Sequence, residues 1–268
     1  MSPVTTSRSQ QTPPESNRRR VLVTGASSGI GESFAQMFAS RHSDLVLVGR
    51  DRTALEQVAS DARGRGAHAE VIVADLSTAG GVDAVCDAAG EVDTLVANAG
   101  VTHAATIGTT DVDELDRLAY LMSAGVVRMC ERLVPTMVAR GCGTVVIVSS
   151  IASFTPMRKA GPYAAAKSHV TAYAKSLALE VEPHGVRVLA VCPGYVRTDL
   201  HRRAGLDHLS RSVPGWMWLD PEDVVVAADK ALAGRRHVLV PGRVYRLVLP
   251  FLSSRLAQGL WRRLTKRR

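Results

Sequence analysis

Residues 24–31 read Thr-Gly-Ala-Ser-Ser-Gly-Ile-Gly, between an apolar run at 21–24 and a helical segment at 31–40. The run predicts a first strand and the segment a first helix. Glycines in such a turn permit a tight bend, let the backbone approach a pyrophosphate, and allow close packing of helix on strand. The amino end of the helix also offers free N–H groups and the positive end of the helix dipole. The turn therefore predicts nucleotide binding.

Downstream of this turn, short apolar runs alternate with helical segments. We predict strands at 45–48, 70–74, 94–97, 144–148, 186–191 and 237–240, and helices at 51–65, 111–140, 162–182 and 221–233. Alternation of this kind indicates right-handed β-α-β units and a parallel sheet. Valine-rich strands indicate burial on both faces. The prediction is an α/β fold, a Rossmann-type doubly wound parallel sheet of about seven strands with helices on both faces.

The formal charge of +8 is concentrated at the carboxyl end of the 268-residue chain. Residues 230–268 contain 11 Lys and Arg and no acid, which leaves 22 basic against 25 acidic residues before them. No basic binding motif with interleaved aromatic residues occurs, so no nucleic-acid partner is expected. We expect residues 1–18 to be a disordered leader and not a signal peptide, 19–243 to be the α/β domain, and 244–268 to be a basic extension.

The four cysteines lack the spacing of a metal site or a disulfide framework. We expect Cys86, Cys130, Cys142 and Cys192 to be reduced core residues in a cytoplasmic protein. No run of about 18 apolar residues predicts a transmembrane helix. No metal is expected.

The end of the second predicted strand, Val48-Gly49-Arg50, indicates which cofactor is bound. An acid there would bind the adenosine ribose hydroxyl of NAD, whereas Arg accommodates the 2′-phosphate of NADP. Gly49 stands where the acid would be, with Arg50 beside it, and Asp51 is better placed to cap the next helix. The alternative is that Arg50 is a solvated loop charge. We predict NADP(H).

A tyrosine and a lysine four residues apart, Tyr163 and Lys167, lie in the first turns of a predicted helix and therefore share a face. A phenol titrates near pH 10, so acid–base work at neutral pH needs a cation to stabilise phenolate. Lys167 could be that cation. Ser150 follows the fifth predicted strand, at the sheet edge where ligands bind, and could orient a substrate oxygen. The pattern alone is weak, since helical tyrosines are usually packed core residues.

Together, these motifs resemble the short-chain dehydrogenase/reductase (SDR) family over about residues 20–242. The resemblance rests on the TGxxxGxG turn, Asp75-Leu76, Ala97-Asn98-Ala99-Gly100, Ser150, Tyr163 with Lys167, and Pro193-Gly194 with Thr198, in the family's order. It implies an NADP(H)-dependent oxidoreductase that moves a hydride between nicotinamide and a ketone or secondary alcohol. It also implies a homodimer or homotetramer, with the two long helices as candidate interfaces.

The resemblance also implies roles for individual residues. Asp75 is expected to contact adenine and Asn98 to brace the central strands. Lys167 would hold the nicotinamide ribose, and Tyr163 would protonate the carbonyl oxygen as hydride arrives. Pro193, Gly194 and Val196 would line the nicotinamide pocket, with Thr198 near the carboxamide. The complete expected cofactor set is Thr24, Gly25, Ser27, Ser28, Gly29, Ile30, Gly31, Arg50, Asp75, Leu76, Asn98, Ala99, Gly100, Tyr163, Lys167, Pro193, Gly194, Val196 and Thr198.

One position departs from the family. An Asn usual in the long fourth helix, where it supports a proton-relay water, aligns with Met122 when the sequences are matched on Gly125-Val126. A thioether is a weak acceptor and cannot donate. Ser123 or a helix irregularity could substitute, the relay could be built differently, activity could be reduced, or the alignment could slip by one residue. The competing hypothesis is a catalytically weak NADP(H)-binding scaffold or redox sensor.

Two segments bear on the substrate and on location. Residues 195–219 should cover the substrate, and the apolar Trp216, Met217 and Trp218 favour a lipophilic ketone or alcohol, unless they pack on the core or on a neighbouring subunit. In the tail, leucines recur every four residues among basic residues and predict an amphipathic helix, which could lie at a membrane surface or pack on its own domain or a dimer mate. These tail residues are Leu252, Leu256, Leu260 and Leu264, with Trp261, Arg255, Arg262, Arg263 and Lys266.

Overall fold

The structure is a computed structural model that describes residues 18–102, 106–155, 159–198 and 213–252, the last five by their backbone alone. Its strands are β1 Arg20–Thr24, β2 Asp44–Gly49, β3 His68–Val73, β4 Thr94–Ala97, β5 Gly143–Val148, β6 Val186–Val191 and β7 Val238–Leu239. Its helices are α1 Gly29–Ala39, α2 Arg52–Gly64, α3 Ala79–Ala89, α4 Val112–Met122, α5 Ala124–Arg140, α6 Gly161–Val181, α7 Pro221–Leu232 and α8 Arg243–Leu252.

The strands form one parallel sheet in the order β3-β2-β1-β4-β5-β6-β7. The chain winds outward from β1 to β3, crosses back, and then winds the other way from β4 to β7. The winding reverses between β1 and β4, and a crevice opens beyond the carboxyl ends of strands at such a point. The predicted doubly wound sheet of seven strands is confirmed.

Apolar side chains cover both faces of the sheet. On one face the core includes Phe34 of α1 and Leu55 of α2 together with residues of α7. On the other it includes Met129 and Met137 of α5 together with residues of α3 and α6. Strand residues such as Leu22 are fully buried between these layers. Burial on both faces explains why the strands are almost continuous runs of Val, Leu and Ala.

The predicted helix at 111–140 is wrong as a single element. The structure ends α4 at Met122 and starts α5 at Ala124, because Ser123 has φ −137° and ψ −86°, outside helical geometry. The Ser123 hydroxyl donates to the Ala119 carbonyl at 2.5 Å. Serine side chains that bind backbone groups compete with the helical hydrogen bonds, and this accounts for the break.

Helix α3 has no counterpart among the predicted elements. Its sequence contains two glycines, which have poor helix propensity and hide the apolar pattern. The helix begins because the Thr78 hydroxyl accepts a hydrogen bond from the Gly81 N–H at 3.0 Å.

The cysteine prediction is also wrong at one position, since Cys142 is exposed while Cys86, Cys130 and Cys192 are buried.

The predictions for both ends of the chain fall mostly outside the described residues. Residues 1–17 and 253–268 are not described, and the amphipathic tail is represented only by α8, in which Leu247 is 72% exposed. Within the part of the chain that is described, no helix combines the length and the apolar character needed to cross a bilayer.

We predict that Gly31→Ala strongly destabilises the protein. A methyl group at Gly31 would lie 2.2 Å from the Gly25 carbonyl oxygen and 2.5 Å from Nδ2 of Asn98. Relief of this overlap requires the turn to move, at a cost of about 3 kcal/mol. Urea denaturation measures the loss.

The matched control is Gly64→Ala in helix α2, where a methyl group would meet nothing within 4 Å. This change should leave stability unchanged or raise it by up to about 1 kcal/mol, through better helix propensity. Equal stability of the two variants would contradict the close packing described for the turn.

Candidate active site

A hydroxyl and an amide tie the first strand to the fourth at the point where the winding reverses. The Thr24 hydroxyl donates to the Val96 carbonyl at 3.3 Å and accepts from the Asn98 and Ala99 N–H groups at 3.0 Å each. The Asn98 side-chain amide donates to the carbonyls of Thr24 at 3.0 Å and Gly25 at 3.2 Å. These bonds hold the glycine turn against the end of β4.

The turn itself has no room for side chains at its three glycines. Gly25 and Gly29 have φ of +64° and +60°, values that favour glycine. Methyl groups there would lie 2.9 Å from the Ala99 Cα and 2.7 Å from the Thr198 Cγ2. Predicted residues Ser27, Ser28 and Ile30 are partly exposed on the same turn. A backbone this bare can approach a phosphate closely.

The first turn of α1 points its N–H groups at the same place. Ser28 is the N-cap and its side chain makes no capping hydrogen bond. The first N–H groups of a helix have no partner within it and are available to an anion. The bare turn and the uncapped helix end therefore fit the pyrophosphate of a dinucleotide.

The ends of β2 and β3 carry charge. Arg50 is exposed after β2 and Asp75 is exposed after β3, while Leu76 is buried beside it. A hydrogen bond from the Ser77 N–H at 3.0 Å is the main cause that lowers the pKa of Asp75, and the charges of Arg50 and Arg117 lower it further. Arg117 of α4 was not predicted; it lies about 40 residues from Asp75 in sequence, and no motif marks it.

The capping role predicted for Asp51 is confirmed. Its carboxylate accepts a hydrogen bond from the Ala54 N–H at 3.1 Å at the start of α2. This carboxylate is therefore committed to the helix. Gly49, at the end of β2, faces the Leu55 side chain, to which a methyl group would lie at 3.5 Å.

The structure brings Ser150 and Tyr163 together. Ser150 follows β5 and is 8% exposed, and its Oγ also accepts from the Ala152 N–H at 3.2 Å. Tyr163 lies in the first turn of α6 and is partly buried. Burial raises the pKa of its phenol, and an interaction with the Ser150 hydroxyl opposes only part of this shift. The phenol is thus protonated at neutral pH and can donate.

Lys167 lies one helical turn further and is 6% exposed. Its Nζ lies 6.0 Å from the centre of the Tyr163 ring and donates to the Val148 carbonyl at 2.9 Å. Burial lowers the pKa of this ammonium to about 8, and the neighbouring Cys192 sulfur opposes the shift. A methyl group at Gly100 would lie 3.4 Å from Nζ, so the lysine fits closely against the end of β4.

Two buried hydroxyls hold the backbone of Lys167, and sequence reasoning missed both. The Ser149 hydroxyl donates to the Lys167 carbonyl at 2.9 Å and lies 2.6 Å from the Thr171 hydroxyl. Thr171 Oγ1 in turn lies 3.8 Å from the Cys192 sulfur. This chain joins the ends of β5 and β6 to α6. The only sequence signal was the serine pair at the end of β5.

Met122 and Lys167 both lie close to Gly100. Met122 is 2% exposed, and its Cγ would lie 3.7 Å from the same methyl group at Gly100 that touches Lys167 Nζ. The Ser123 hydroxyl donates its proton to the Ala119 carbonyl, so it is left only as an acceptor. The break between α4 and α5 at Ser123 is a helix irregularity of the kind considered above, and the alignment of Met122 with the family's Asn stays a prediction.

The loop after β6 completes the group of predicted residues. The Ile151 N–H donates to the Pro193 carbonyl at 2.9 Å, which places Pro193 beside Ser150. Val196 is buried and bridges Leu219, so that the two described ends of the segment 195–219, which is predicted to cover the substrate and is called the lid below, run side by side. The lid residues 199–212 lie outside the described part of the chain.

At the opposite end of the strands, Asp44, His68 and Glu70 come close enough to share an ion. Arg20 already pairs with both carboxylates, at 2.5 Å to Asp44 and 3.1 Å to Glu70. Such an arginine stands where a metal would have to bind. We interpret this cluster as a structural ion-pair network.

Comparisons with known proteins agree with this geometry. The family model for short chain dehydrogenase matches residues 19–208. The oxidoreductase UcpA of Escherichia coli (strain K12) is 33% identical over 226 residues, which cover 81% of each chain.

Several solved structures share the fold. A short-chain dehydrogenase from Sphingobium yanoikuyae in complex with NADPH has a TM-score of 0.79 and 30% identity, covering 93% of this chain and 96% of that one. The bulky-bulky ketone specific alcohol dehydrogenase from Comamonas testosteroni has a TM-score of 0.74 and 27% identity, with 91% and 94% covered. A short chain dehydrogenase/reductase from Burkholderia phymatum in complex with NAD shares the fold at 24% identity, with a TM-score of 0.79 and 87% and 92% covered.

The family model matches most of the chain. The parallel doubly wound sheet and the glycine turn between β1 and α1 agree with that match. The chain belongs to the short-chain dehydrogenase/reductase family and is a nucleotide-binding oxidoreductase.

Proposed function

We propose that the protein is an NADP(H)-dependent oxidoreductase that interconverts a bulky, lipophilic ketone and its secondary alcohol. Ser150, Tyr163 and Lys167 are the proposed catalytic residues. The observation that carries the proposal is the position of Tyr163 in the first turn of α6, where its phenol interacts with the Ser150 hydroxyl and its ring centre lies 6.0 Å from the buried Lys167 ammonium. A bound nicotinamide cofactor supplies the hydride in one direction and accepts it in the other.

The hydroxyls of Ser150 and Tyr163 have different roles at the substrate oxygen. The Ser150 hydroxyl donates to the carbonyl oxygen and orients it. Tyr163 then transfers its phenolic proton to the same oxygen as negative charge develops there. The raised pKa of Tyr163 suits this direction, since the phenol is fully protonated before it reacts. In oxidation the phenolate removes the proton from the alcohol.

Lys167 stabilises the phenolate that this step leaves behind. Its ammonium is shielded from water and lies 6.0 Å from the centre of the Tyr163 ring, so its charge acts on the phenolate with little screening. Met122 gives the ammonium no hydrogen-bonding partner, and the Val148 carbonyl is the acceptor that the structure provides. The same feature favours the second candidate, a scaffold that binds NADP(H) without efficient turnover.

The proposed preference for NADP(H) rests on charge at the adenosine end. Gly49 offers no carboxylate to a ribose hydroxyl, and the Asp51 carboxylate already caps α2. Arg50 and Arg117 both act electrostatically on Asp75, so two cations lie around this end of the sheet. A 2′-phosphate would be bound by Arg50 through charge-assisted hydrogen bonds. The Sphingobium relative, described in complex with NADPH, supports this choice.

The proposed substrate class rests on the lid. Trp216 is 65% exposed, and the rings of Tyr195 and Trp218 pack together with centres 5.5 Å apart. Large aromatic surfaces at the mouth of a site favour a large apolar substrate. The structural relative described as specific for bulky-bulky ketones supports the same class.

The proposal also covers the assembly of the protein and its location in the cell. We expect a homodimer or homotetramer in the cytoplasm, with a peripheral membrane contact through residues 244–268. Leu247, exposed on α8, is the described residue that favours such a contact.

Tyr163→Phe should abolish turnover while NADPH still binds. The change removes the proton donor and keeps the ring, so ketone reduction should fall by about 10² to 10⁴-fold. NADPH oxidation over a panel of aliphatic, steroid and acyl-thioester ketones measures activity, and NADPH fluorescence measures binding. Turnover retained by the variant would contradict the mechanism. A wild-type chain that binds NADPH and reduces none of these ketones would favour the scaffold.

Arg50→Ala should weaken NADPH binding by about 10 to 100-fold, the loss expected for charge-assisted hydrogen bonds to a phosphate. NADH carries no 2′-phosphate, so its affinity should not change. Arg65→Ala at the far end of α2 is the matched control, and it should alter neither affinity. Parallel losses for both cofactors in the Arg50 variant would refute selection of the phosphate by Arg50.

Lys167→Met should stabilise the protein at pH 7 while it abolishes turnover. The folded-state pKa of about 8 lies below the ordinary 10.5, so burial of the charged lysine costs stability below pH 8. The cost, on the order of 3 kcal/mol at most, disappears as the pH rises from 8 to 10.5. The advantage of the variant should shrink over the same range.

Urea unfolding at a series of pH values measures this dependence. Lys175→Met removes an exposed lysine from the same helix and serves as the control, which should not be more stable than the wild type at pH 7. A Lys167 variant that is less stable than the wild type at pH 7 would show that the buried ammonium is stabilising after all.

A further inference from the structure

Tyr245, near the start of helix α8, lies against a loop of the candidate site. Its side chain is buried, with 5% of the residue exposed. A methyl group at Gly194 would lie 2.0 Å from Cζ of the Tyr245 ring. The ring therefore rests directly on the Gly194 backbone and fills the space that any other residue at Gly194 would need.

The phenol of Tyr245 joins two segments that are distant in sequence. It accepts a hydrogen bond from the Tyr195 N–H at 3.0 Å and donates one to the Met217 carbonyl at 2.6 Å. Tyr195 belongs to the loop after β6, and Met217 belongs to the returning end of the lid. One hydroxyl thus bonds to both described ends of the segment 195–219, which is predicted to cover the substrate.

Other contacts pair the same two ends. The Leu219 N–H donates to the Tyr195 carbonyl and the Arg197 N–H donates to the Leu219 carbonyl, each at 2.9 Å. Arg197 also forms an ion pair with Asp220 at 3.1 Å, and the Tyr195 ring packs on Trp218. These contacts bind the two ends to each other. Among the contacts described here, the hydrogen bonds of Tyr245 are the ones that link the two ends of the lid to helix α8.

We propose that Tyr245 is a positioning residue that couples helix α8 to the cofactor and substrate loops. Its ring packs on Gly194, and its hydroxyl bonds to Tyr195 and Met217. These contacts fix the position of the loop after β6 relative to the returning end of the lid. The proposal rests on the proposed function, in which Gly194 and Val196 line the nicotinamide pocket and the lid covers the substrate. Helix α8 is then part of the active site although it carries no reacting group.

Tyr245→Phe tests the hydrogen bonds, because it keeps the ring that packs on Gly194. Loss of the hydroxyl removes its hydrogen bonds with the Tyr195 N–H and the Met217 carbonyl. We expect the Kd for NADPH and the KM for ketone each to rise about tenfold, with a smaller change in kcat. Tyr173→Phe is the matched control. It removes a phenol that donates to Glu131 at 2.9 Å on the helical surface, and both constants should keep their wild-type values.

A double-mutant cycle tests the packing. Gly194→Ala should raise the Kd for NADPH at least roughly tenfold in the wild-type background, because the methyl group meets the ring. In a Tyr245→Leu background the same change should cost a clearly smaller factor, since the smaller side chain can give way. Equal factors in both backgrounds would overturn the proposal, as would a Tyr245→Phe variant that lowers Tm and leaves Kd and KM unchanged.

A readout without cofactor separates this proposal from the proposed function. In a full-length chain with Trp216→Phe and Trp261→Phe, Trp218 is the remaining tryptophan. Tyr245→Phe should shift its emission to the red and increase its quenching by acrylamide, because the two ends of the lid separate. Unchanged emission would overturn the proposal. A wild-type chain that binds neither NADPH nor NADH would overturn the proposed function alone.

Discussion

The contact on which the rest of the structure depends is the pair of hydrogen bonds from the Asn98 amide to the carbonyls of Thr24 and Gly25. Strands β1 and β4 are neighbours in space but are separated by two β-α units in sequence. Their ends must stay aligned for a phosphate turn and a catalytic edge to face the same crevice. The Thr24 hydroxyl adds three further bonds, so the joint is fully satisfied where a buried polar group would otherwise be costly.

Near this joint, the candidate site contains a buried charge that lowers the stability of the fold. Lys167 is kept charged in a place that disfavours charge, with one backbone carbonyl as its acceptor and the Met122 thioether nearby. The buried hydroxyls of Ser149 and Thr171 hold the helix that carries it. Strained or costly groups persist where the surrounding structure determines them fully, and they mark functional sites. Here that surrounding support comes from β5, β6 and α6 together.

The sequence predicted the sheet, the glycine turn and the approximate place of each catalytic candidate, because these depend on local patterns with fixed periods. Strands β4 and β6 have the predicted bounds. It could not predict the break at Ser123, which depends on one side-chain hydrogen bond, or helix α3, whose glycines conceal its period. The roles of Arg117 and Tyr245 depend on contacts between segments far apart in sequence. No local pattern records such contacts.

The central claim is that Tyr163 and its neighbours support hydride transfer to a carbonyl, despite the methionine beside the lysine. The most direct test is reduction of a bulky ketone by NADPH that carries deuterium at both positions of C4 of the nicotinamide, with the product analysed by mass spectrometry and NMR. The account predicts deuterium on the carbinol carbon, a solvent-derived proton on its oxygen, and stoichiometric loss of NADPH. NADPH that binds but is never consumed, or an alcohol without deuterium at that carbon, would contradict it.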